Sequence, residues 1–221
     1  MVRYSLDVDE VVAAYLKACT AAAKALGIRA LSQPLDLTPE DLDALMQDRQ
    51  ATIIAALNQY ITDNLEEFFG GLESLVSTED RTAIRRAAAA GHELFWVSSR
   101  SYFSGHDDSA DVSRMSGITL DWLLKNDLPA DAAHVVLTPD KAAAVRQYDI
   151  RYHLDDSVPH VTSILLQTGA KVFLLRRPHN QRFMVTHPND PDDDHDTSAG
   201  AYGVTEVDSI AEFITMMGAG A

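Results

Sequence analysis

Two aspartates, Asp7 and Asp9, stand two residues apart directly after the apolar segment near the start of the chain, and a helical pattern follows them at once. A carboxylate at the end of a buried strand loses its hydration, which costs free energy unless a cation or protons compensate. Two such carboxylates therefore indicate a site built around a metal ion and a charged substrate. Taken alone, the pair also fits a second use, the capping of a helix N-terminus.

Five short apolar segments predict the β-strands that would position such a site. Near-continuous apolar runs of this length are typical of parallel strands that are buried on both faces. Helical patterns lie between them, and this alternation predicts an α/β fold with a doubly wound, Rossmann-like parallel sheet. The predicted strands are 3–7, 93–98, 134–138, 152–155 and 171–175.

Residues 13–76 interrupt the alternation with helical patterns alone. A crossover between parallel strands normally needs one helix, whereas this region holds at least two. We therefore expect a helical cap at 13–76, inserted after the first strand, and an α/β core domain formed by residues 1–12 and 77–221. An apolar stripe at helical spacing supports this interpretation. It consists of Leu42, Leu45, Met46, Ile53, Ile54, Leu57 and Ile61.

The carboxyl ends of parallel strands are where such sheets bind their ligands. The predicted strand ends bring together carboxylates, hydroxyl groups and cationic side chains, a combination that suits phosphoryl transfer. These polar residues are Asp7 and Asp9 after the first strand, Ser98, Ser99 and Arg100 after the second, Lys141 after the third, and Asp155 and Asp156 after the fourth.

Each of these residue types has a chemical use in such a reaction. Asp7, Asp155 and Asp156 can hold Mg²⁺ through oxygen ligands. Asp7 can attack phosphorus to form an aspartyl phosphate, while the metal and Lys141 offset the repulsion between two anions. Asp9 is placed to protonate the leaving oxygen and later to activate water.

These motifs, in this order and each after its apolar strand, resemble the four motifs of the haloacid dehalogenase superfamily of phosphatases. The motifs are Asp7-Val8-Asp9, Ser98, Lys141 and Asp155-Asp156. The helical insertion after the first motif is similar to the cap position of the 5'-nucleotidase branch. Residues 177–180 and 207–213 also resemble the pyrimidine 5'(3')-deoxyribonucleotidases. The core resemblance covers about 2–16 and 79–215, and the cap matches in position and helicity.

The resemblance implies a role for each motif residue. Asp7 would be the nucleophile and Asp9 the acid/base, and the backbone carbonyl of Asp9 would also bind the metal. Asp156 would bind the metal directly and Asp155 through water. The implied phosphate-binding residues are Ser98, Ser99 and Lys141, and the implied Mg²⁺ ligands are Asp7, Asp9, Asp155 and Asp156.

Several positions carry more than one interpretation. Many nucleotidases have glycine where this chain has Glu10, which predicts extra charge near the entrance of the site. Arg100 could contact substrate or pair with a surface acid. Tyr15, Phe68 and Phe69 could stack on a base, although core packing is the stronger interpretation of all three.

Composition limits the partners. The chain has 221 residues and a formal net charge of −15, which argues against a duplex or long nucleic acid because such binding depends on phosphate neutralisation. No apolar run approaches the length of a membrane span, so we expect no membrane partner and a cytoplasmic location. The segment 188–195 predicts a solvated acidic loop. The assembly state stays open, with a homodimer compatible with the sequence.

We therefore predict a Mg²⁺-dependent phosphatase that hydrolyses a small phosphorylated metabolite, with a (deoxy)nucleoside 5'-monophosphate as the preferred substrate class. A sugar phosphatase or sugar phosphomutase is the main enzymatic alternative. A polynucleotide 3'-phosphatase is a second one, and the net charge of −15 weighs against it. The alternative of a different class is a binding protein that keeps the fold without catalysis.

Overall fold

A single parallel sheet organises the computed structural model, which describes residues 1–27, 50–100, 109–180 and 203–218, without the side chains of 50–53 and 109–111. Its strand order is β3-β2-β1-β4-β5-β6, so the direction of winding reverses between β1 and β4. The strands are β1 (Arg3–Leu6), β2 (Glu93–Ser98), β3 (Val135–Leu137), β4 (Tyr152–Asp155), β5 (Lys171–Leu175) and β6 (Thr205–Val207).

Helices connect these strands as the sequence pattern predicted. The predicted α/β fold with a doubly wound parallel sheet is confirmed. Among the described residues, the α-helices are α1 (Tyr15–Ala25), α2 (Gln50–Asp63), α3 (Leu65–Gly70), α4 (Thr78–Ala89), α5 (Ser109–Lys125), α6 (Lys141–Gln147), α7 (Val158–Gln167) and α8 (Ile210–Gly218). None of the helices described is long and apolar enough to cross a membrane.

The strand β6 was not predicted from the sequence. It spans only Thr205–Val207 at the edge of the sheet, where it pairs with β5 through Phe173 and Leu175. Glu206 at its centre is exposed, so the segment lacks the continuous apolar run of a strand that is buried on both faces. The predicted third strand is also shorter than expected, because a 3₁₀ turn at Ala132–His134 precedes β3.

Apolar side chains cover both faces of the sheet. On one face, Trp96 of β2 packs in a cluster that includes Trp122 of α5 and Phe213 of α8. On the other face, Val97 of β2 packs with residues of α6 and α7, among them Val161. Adjacent strand residues point to opposite faces, so a continuous apolar run buries side chains in both layers.

The helices between β1 and β2 pack against the same cluster as the sheet. Phe69 of α3 is fully buried there, and Trp122 donates a hydrogen bond from Nε1 to the carbonyl of Leu72 at 2.9 Å. The chain enters and leaves this insertion through one antiparallel bridge between Ala13 and Ser74. The helical character predicted for residues 13–76 holds for the described part, and the division into cap and core domains stays a prediction.

Two features predicted from the sequence lie wholly or partly outside the residues that the structure describes. The acidic loop at 188–195 lies outside the described residues, as do Leu42, Leu45 and Met46 of the apolar stripe. Of the stripe residues whose side chains are described, Ile61 is fully buried and Leu57 is partly buried against the core.

Asp80 joins the first turn of α4 to α8. Its Oδ2 accepts hydrogen bonds from Ser77 Oγ at 2.7 Å and from the Ser77 N–H at 3.3 Å. Its Oδ1 accepts from the N–H of Ala211 at 2.9 Å.

Asp80→Ala should lower the free energy of unfolding by about 2 kcal/mol, because it removes a capping box and leaves the buried N–H of Ala211 unpaired. Chemical denaturation checks this, with Glu79→Ala, at an exposed residue of the same turn, as the control. Equal losses in the two variants would contradict the prediction.

Candidate active site

The candidate site lies where the sheet changes its direction of winding. Asp7 directly follows β1, and Asp155 is the last residue of the neighbouring strand β4. The N–H of Asp7 donates to the carbonyl of Leu154 at 3.0 Å, which holds the two strand ends side by side. A crevice outside the carboxyl ends of the strands at such a switch point is where open α/β sheets bind ligands.

Three carboxylates meet there. Asp7, Asp155 and Asp156 each offer an oxygen atom, and these atoms all lie within 4.8 Å of one another. All three residues are buried. Burial, reinforced by repulsion from the neighbouring carboxylates, raises the pKa of Asp7 despite the opposing effect of Lys141. The pKa of Asp156 is also raised, by burial and by Asp155.

Lys141 supplies a positive charge within this group. Its Nζ lies 2.9 Å from Asp7 Oδ1 and 2.7 Å from Asp155 Oδ2, and its side chain is almost completely buried. Burial alone would lower the pKa of Lys141, but Asp155 and Asp7 outweigh it and the pKa is raised. Lys141 is the first residue of α6, where Asp140 caps the helix by accepting from the Ala143 N–H at 2.8 Å.

Two histidines also contact Asp155, although the sequence pattern did not select them. His153 Nε2 lies 3.1 Å from Asp155 Oδ2, and its Nδ1 lies 2.6 Å from Ser5 Oγ on β1. His160 Nδ1 of α7 is 3.6 Å from the same carboxylate oxygen. Burial tends to raise the pKa of Asp155, but Lys141 and the histidines outweigh it and hold the pKa well below its usual value. Strand alternation could have identified His153, since residues two apart on β4 face the same side.

Residues of the segment after β5 form hydrogen bonds with Asp156. His179 Nε2 lies 2.7 Å from Asp156 Oδ2, and Asn180 donates from Nδ2 to the Asp156 carbonyl at 2.8 Å. Arg177 donates from Nε to the carbonyl of Glu10 at 2.7 Å. Residues 177–180, which resemble a segment of deoxyribonucleotidases, therefore connect the turn after β1 with Asp156 directly after β4.

Glu10 occupies a backbone position that suits the glycine found there in many nucleotidases. Its φ is +55°, in the left-handed region where glycine meets no steric penalty. Its Oε1 accepts a hydrogen bond from the Leu16 N–H at 2.7 Å, so the carboxylate faces the first turn of α1. Burial raises the pKa of Glu10, against the opposing effect of the Leu16 hydrogen bond.

Asp9, Ser98 and Arg100 form a second group beside the carboxylates. Ser98 ends β2 and donates from Oγ to Asp9 Oδ2 at 3.3 Å. Arg100 donates from Nε to Asp9 Oδ2 at 3.0 Å and from Nη2 to Asp9 Oδ1 at 2.8 Å. The structure thus pairs Arg100 with Asp9, rather than with a surface acid. Ser99 Oγ is buried and has no hydrogen-bond partner among the described residues.

The aromatic candidates for base stacking pack on one another. The rings of Phe68 and Phe69 meet edge to face at 5.1 Å between centroids, and Tyr15 stacks against Phe69 at 6.2 Å. Phe69 is fully buried and Phe68 is nearly so, and both belong to the main apolar cluster. This arrangement agrees with the core-packing interpretation.

The donor set fits a hard divalent cation. Carboxylate oxygens are the ligands that Mg²⁺ prefers, and Asp7, Asp155 and Asp156 bring three of them together. Three buried carboxylates surround the single ammonium group of Lys141. A bound cation would balance their excess of negative charge. Asp9 is not in this set, because its carboxylate pairs with Arg100. The proposed contact between its backbone carbonyl and a metal stays a prediction.

Comparison with known proteins gives matches to solved structures. No protein-family model matches the chain, and no curated protein does. A hydrolase of the haloacid dehalogenase family from Deinococcus radiodurans, with bound phosphate and sodium, is similar with a TM-score of 0.55 and 16% identity over 99% of this chain and 96% of that chain. The D,D-heptose 1,7-bisphosphate phosphatase of Burkholderia thailandensis is similar with a TM-score of 0.51 and 12% identity over 98% of each chain.

A third similar structure is also a haloacid dehalogenase-like hydrolase. A putative haloacid dehalogenase-like hydrolase from Burkholderia xenovorans is similar with a TM-score of 0.51 and 12% identity, over 99% of this chain and 97% of that chain. At these identities the matches establish the fold, which is that of haloacid dehalogenase-like hydrolases.

Proposed function

We propose that the protein is a Mg²⁺-dependent phosphatase of the haloacid dehalogenase superfamily that hydrolyses a small phosphomonoester through an aspartyl phosphate. The observation that carries this proposal is the buried group of Asp7, Lys141, Asp155 and Asp156 at the switch point of the sheet. A buried carboxylate with a lysine and two further acids around it provides both a nucleophile and a place for a cation and a phosphate.

The first step breaks the phosphoester bond. A carboxylate oxygen of Asp7 attacks phosphorus, the P–O bond to the leaving alcohol breaks, and the leaving oxygen takes a proton from Asp9. Lys141 lies 2.9 Å from Asp7 and can stabilise the charge on the transferring group. Ser98 Oγ can turn its single hydrogen from Asp9 to a phosphate oxygen. Asp7, Asp155 and Asp156 would hold Mg²⁺, whose charge would offset the repulsion between carboxylate and phosphate.

The second step returns the enzyme to its starting state. Asp9 takes a proton from water, whose oxygen attacks the phosphorus of the aspartyl phosphate. The bond between phosphorus and the Asp7 oxygen breaks, and inorganic phosphate leaves. One residue therefore serves as acid and then as base, which requires its carboxyl group to stay beside the reacting atoms in both steps.

The substrate class we propose is a (deoxy)nucleoside 5'-monophosphate, on the resemblance of residues 177–180 and 207–213 to deoxyribonucleotidases. A sugar phosphate is the second candidate, favoured by the similarity in fold to a heptose bisphosphate phosphatase. The net charge of −15 disfavours the 3'-phosphate of a polynucleotide, because long nucleic acids bind mainly through cationic side chains.

Phosphate release from a panel of small esters tests the proposal. The purified protein is incubated with nucleoside monophosphates, deoxynucleoside monophosphates and sugar phosphates, with Mg²⁺ and with a chelator. We expect release from at least one ester, loss of that release with the chelator, and recovery when Mg²⁺ is added in excess. Absence of release from every ester, together with thermal stabilisation by the same esters, would instead indicate a binding protein.

A further inference from the structure

Arg100 is a buried cation whose contacts lie entirely within the protein. Its side chain has 0% exposure, and its guanidinium forms a two-point hydrogen bond with the carboxylate of Asp9 at 2.8 and 3.0 Å. A buried charge without a partner is strongly destabilising, and a planar guanidinium matches a carboxylate in both distance and direction. The pair therefore defines both the position of the Asp9 carboxylate and the orientation of its plane.

Two further elements hold the guanidinium in place. Its Nη1 donates to Thr119 Oγ1 of α5 at 3.1 Å, and Thr119 is fully buried. Its Cζ lies 4.8 Å from the ring centroid of Phe69 on α3, a distance typical of a cation–π contact. A movement of Arg100 towards a substrate would break its contacts with Asp9, Thr119 and Phe69 together.

The backbone of Arg100 extends the same arrangement to Ser98. The Arg100 N–H donates to Ser98 Oγ at 3.3 Å, and Ser98 Oγ donates to Asp9 Oδ2 at 3.3 Å. The residue thus fixes the carboxylate proposed for proton transfer and the hydroxyl proposed for phosphate binding relative to each other.

We infer that Arg100 is a positioning residue that holds the Asp9 carboxylate beside the leaving oxygen, and that it does not bind substrate. The inference rests on the proposed function, since it assigns Arg100 a part in the proton transfer. Proton transfer requires hydrogen-bond distance between Asp9 and the leaving oxygen, and a displacement of about 1 Å can lower the rate by about 100-fold.

The nature of the leaving group separates this role from a general structural one. An alkyl phosphate must release a strongly basic alcohol oxygen, which needs the proton from Asp9 as the P–O bond breaks. p-Nitrophenyl phosphate releases a stable phenolate, which can depart without that proton. A displaced Asp9 therefore slows the first step for the alkyl ester and spares it for the aryl ester, whereas the second step slows for both.

Rapid-mixing kinetics with Arg100→Lys test the inference. Lysine keeps the charge and loses the two-point geometry. We expect single-turnover release of the alcohol from an alkyl phosphomonoester to fall by about 100-fold, and the burst of nitrophenolate to stay within a few-fold of the wild type. Arg114→Lys is the matched control, since Arg114 also joins α5 to α3, through an exposed ion pair with Glu66 at 3.0 Å.

Thr119→Val is a second variant, for use if Arg100→Lys does not fold. It retains the Arg100–Asp9 pair and removes one of the contacts that hold the guanidinium. We expect a smaller loss of rate in the same direction, confined to the alkyl ester.

An equal loss in the first step of the alkyl ester and of the aryl ester, or no loss in either, would overturn the inference while the wild-type enzyme stays active. A wild-type protein that releases no phosphate from any ester would overturn the proposed function and this inference with it.

Discussion

Asp7→Asn is expected to lower kcat by on the order of 10⁴-fold or more and to abolish the covalent phosphoenzyme. An amide lacks the negative charge with which a carboxylate attacks phosphorus, so the first step loses its nucleophile. Acid quenching during turnover with a radiolabelled phosphomonoester measures the phosphoenzyme, and phosphate release measures kcat. Asp149→Asn is the matched control, because Asp149 is exposed and has a φ of +51°, which asparagine also tolerates.

The same substitution should not destabilise the metal-free protein. Burial and the neighbouring acids raise the pKa of Asp7, so the ionised form of Asp7 opposes folding near neutral pH. A neutral asparagine removes that cost, and we expect an equal or higher melting temperature without Mg²⁺. Substantial phosphate release by a folded Asp7→Asn variant would contradict the assignment of Asp7 as nucleophile.

Lys141→Met is expected to lower both activity and stability. Its ammonium group contacts Asp7 at 2.9 Å and Asp155 at 2.7 Å, and all three groups are buried. Breaking such a pair leaves an uncompensated buried charge, which should lower the free energy of unfolding by about 3–5 kcal/mol without Mg²⁺. Loss of a cation aimed at the transferring group should lower kcat by on the order of 10²–10³-fold.

Denaturation with and without Mg²⁺ checks the effect on stability. A cation bound among the carboxylates replaces part of the missing charge, so Mg²⁺ should stabilise Lys141→Met more than the wild type. Lys125→Met is the control, since Lys125 on α5 is exposed and its Nζ donates to the carbonyl of Gly70 at the long distance of 3.4 Å. A loss in Lys141→Met no greater than in this control would contradict the account of the charge balance.

Much of the fold was predictable because strand and helix periods are local properties of the chain. The segments that form β2 and β5 carry near-continuous apolar runs, and both of their faces are buried. β6 escaped prediction because it is a short edge strand with an exposed central residue. The N-cap of α4 is Ser77, and its capping box with Asp80 fixes the first turn of the helix.

The charged residues of the candidate site were also predictable from the sequence. The histidines that surround them were not selected. Asp7, Asp155 and Lys141 follow separate strands, and a parallel sheet brings the carboxyl ends of its strands to one edge. His153 and His179 join the group through strand register and through the turn after β5. Strand alternation could have placed His153 beside Asp155, whereas the sequence gives no signal for His179, because it does not record which segments are neighbours in the fold.

The sequence by itself determined which polar residues stand at the strand ends, because that follows from where each apolar run stops. Only the tertiary structure decided how those residues pair. Asp9 and Arg100 are 91 positions apart in the chain, yet β1 and β2 lie side by side and bring them to 2.8 Å. A contact of this kind depends on strand order and side-chain burial together, and it turns Arg100 from a candidate substrate ligand into the partner of Asp9.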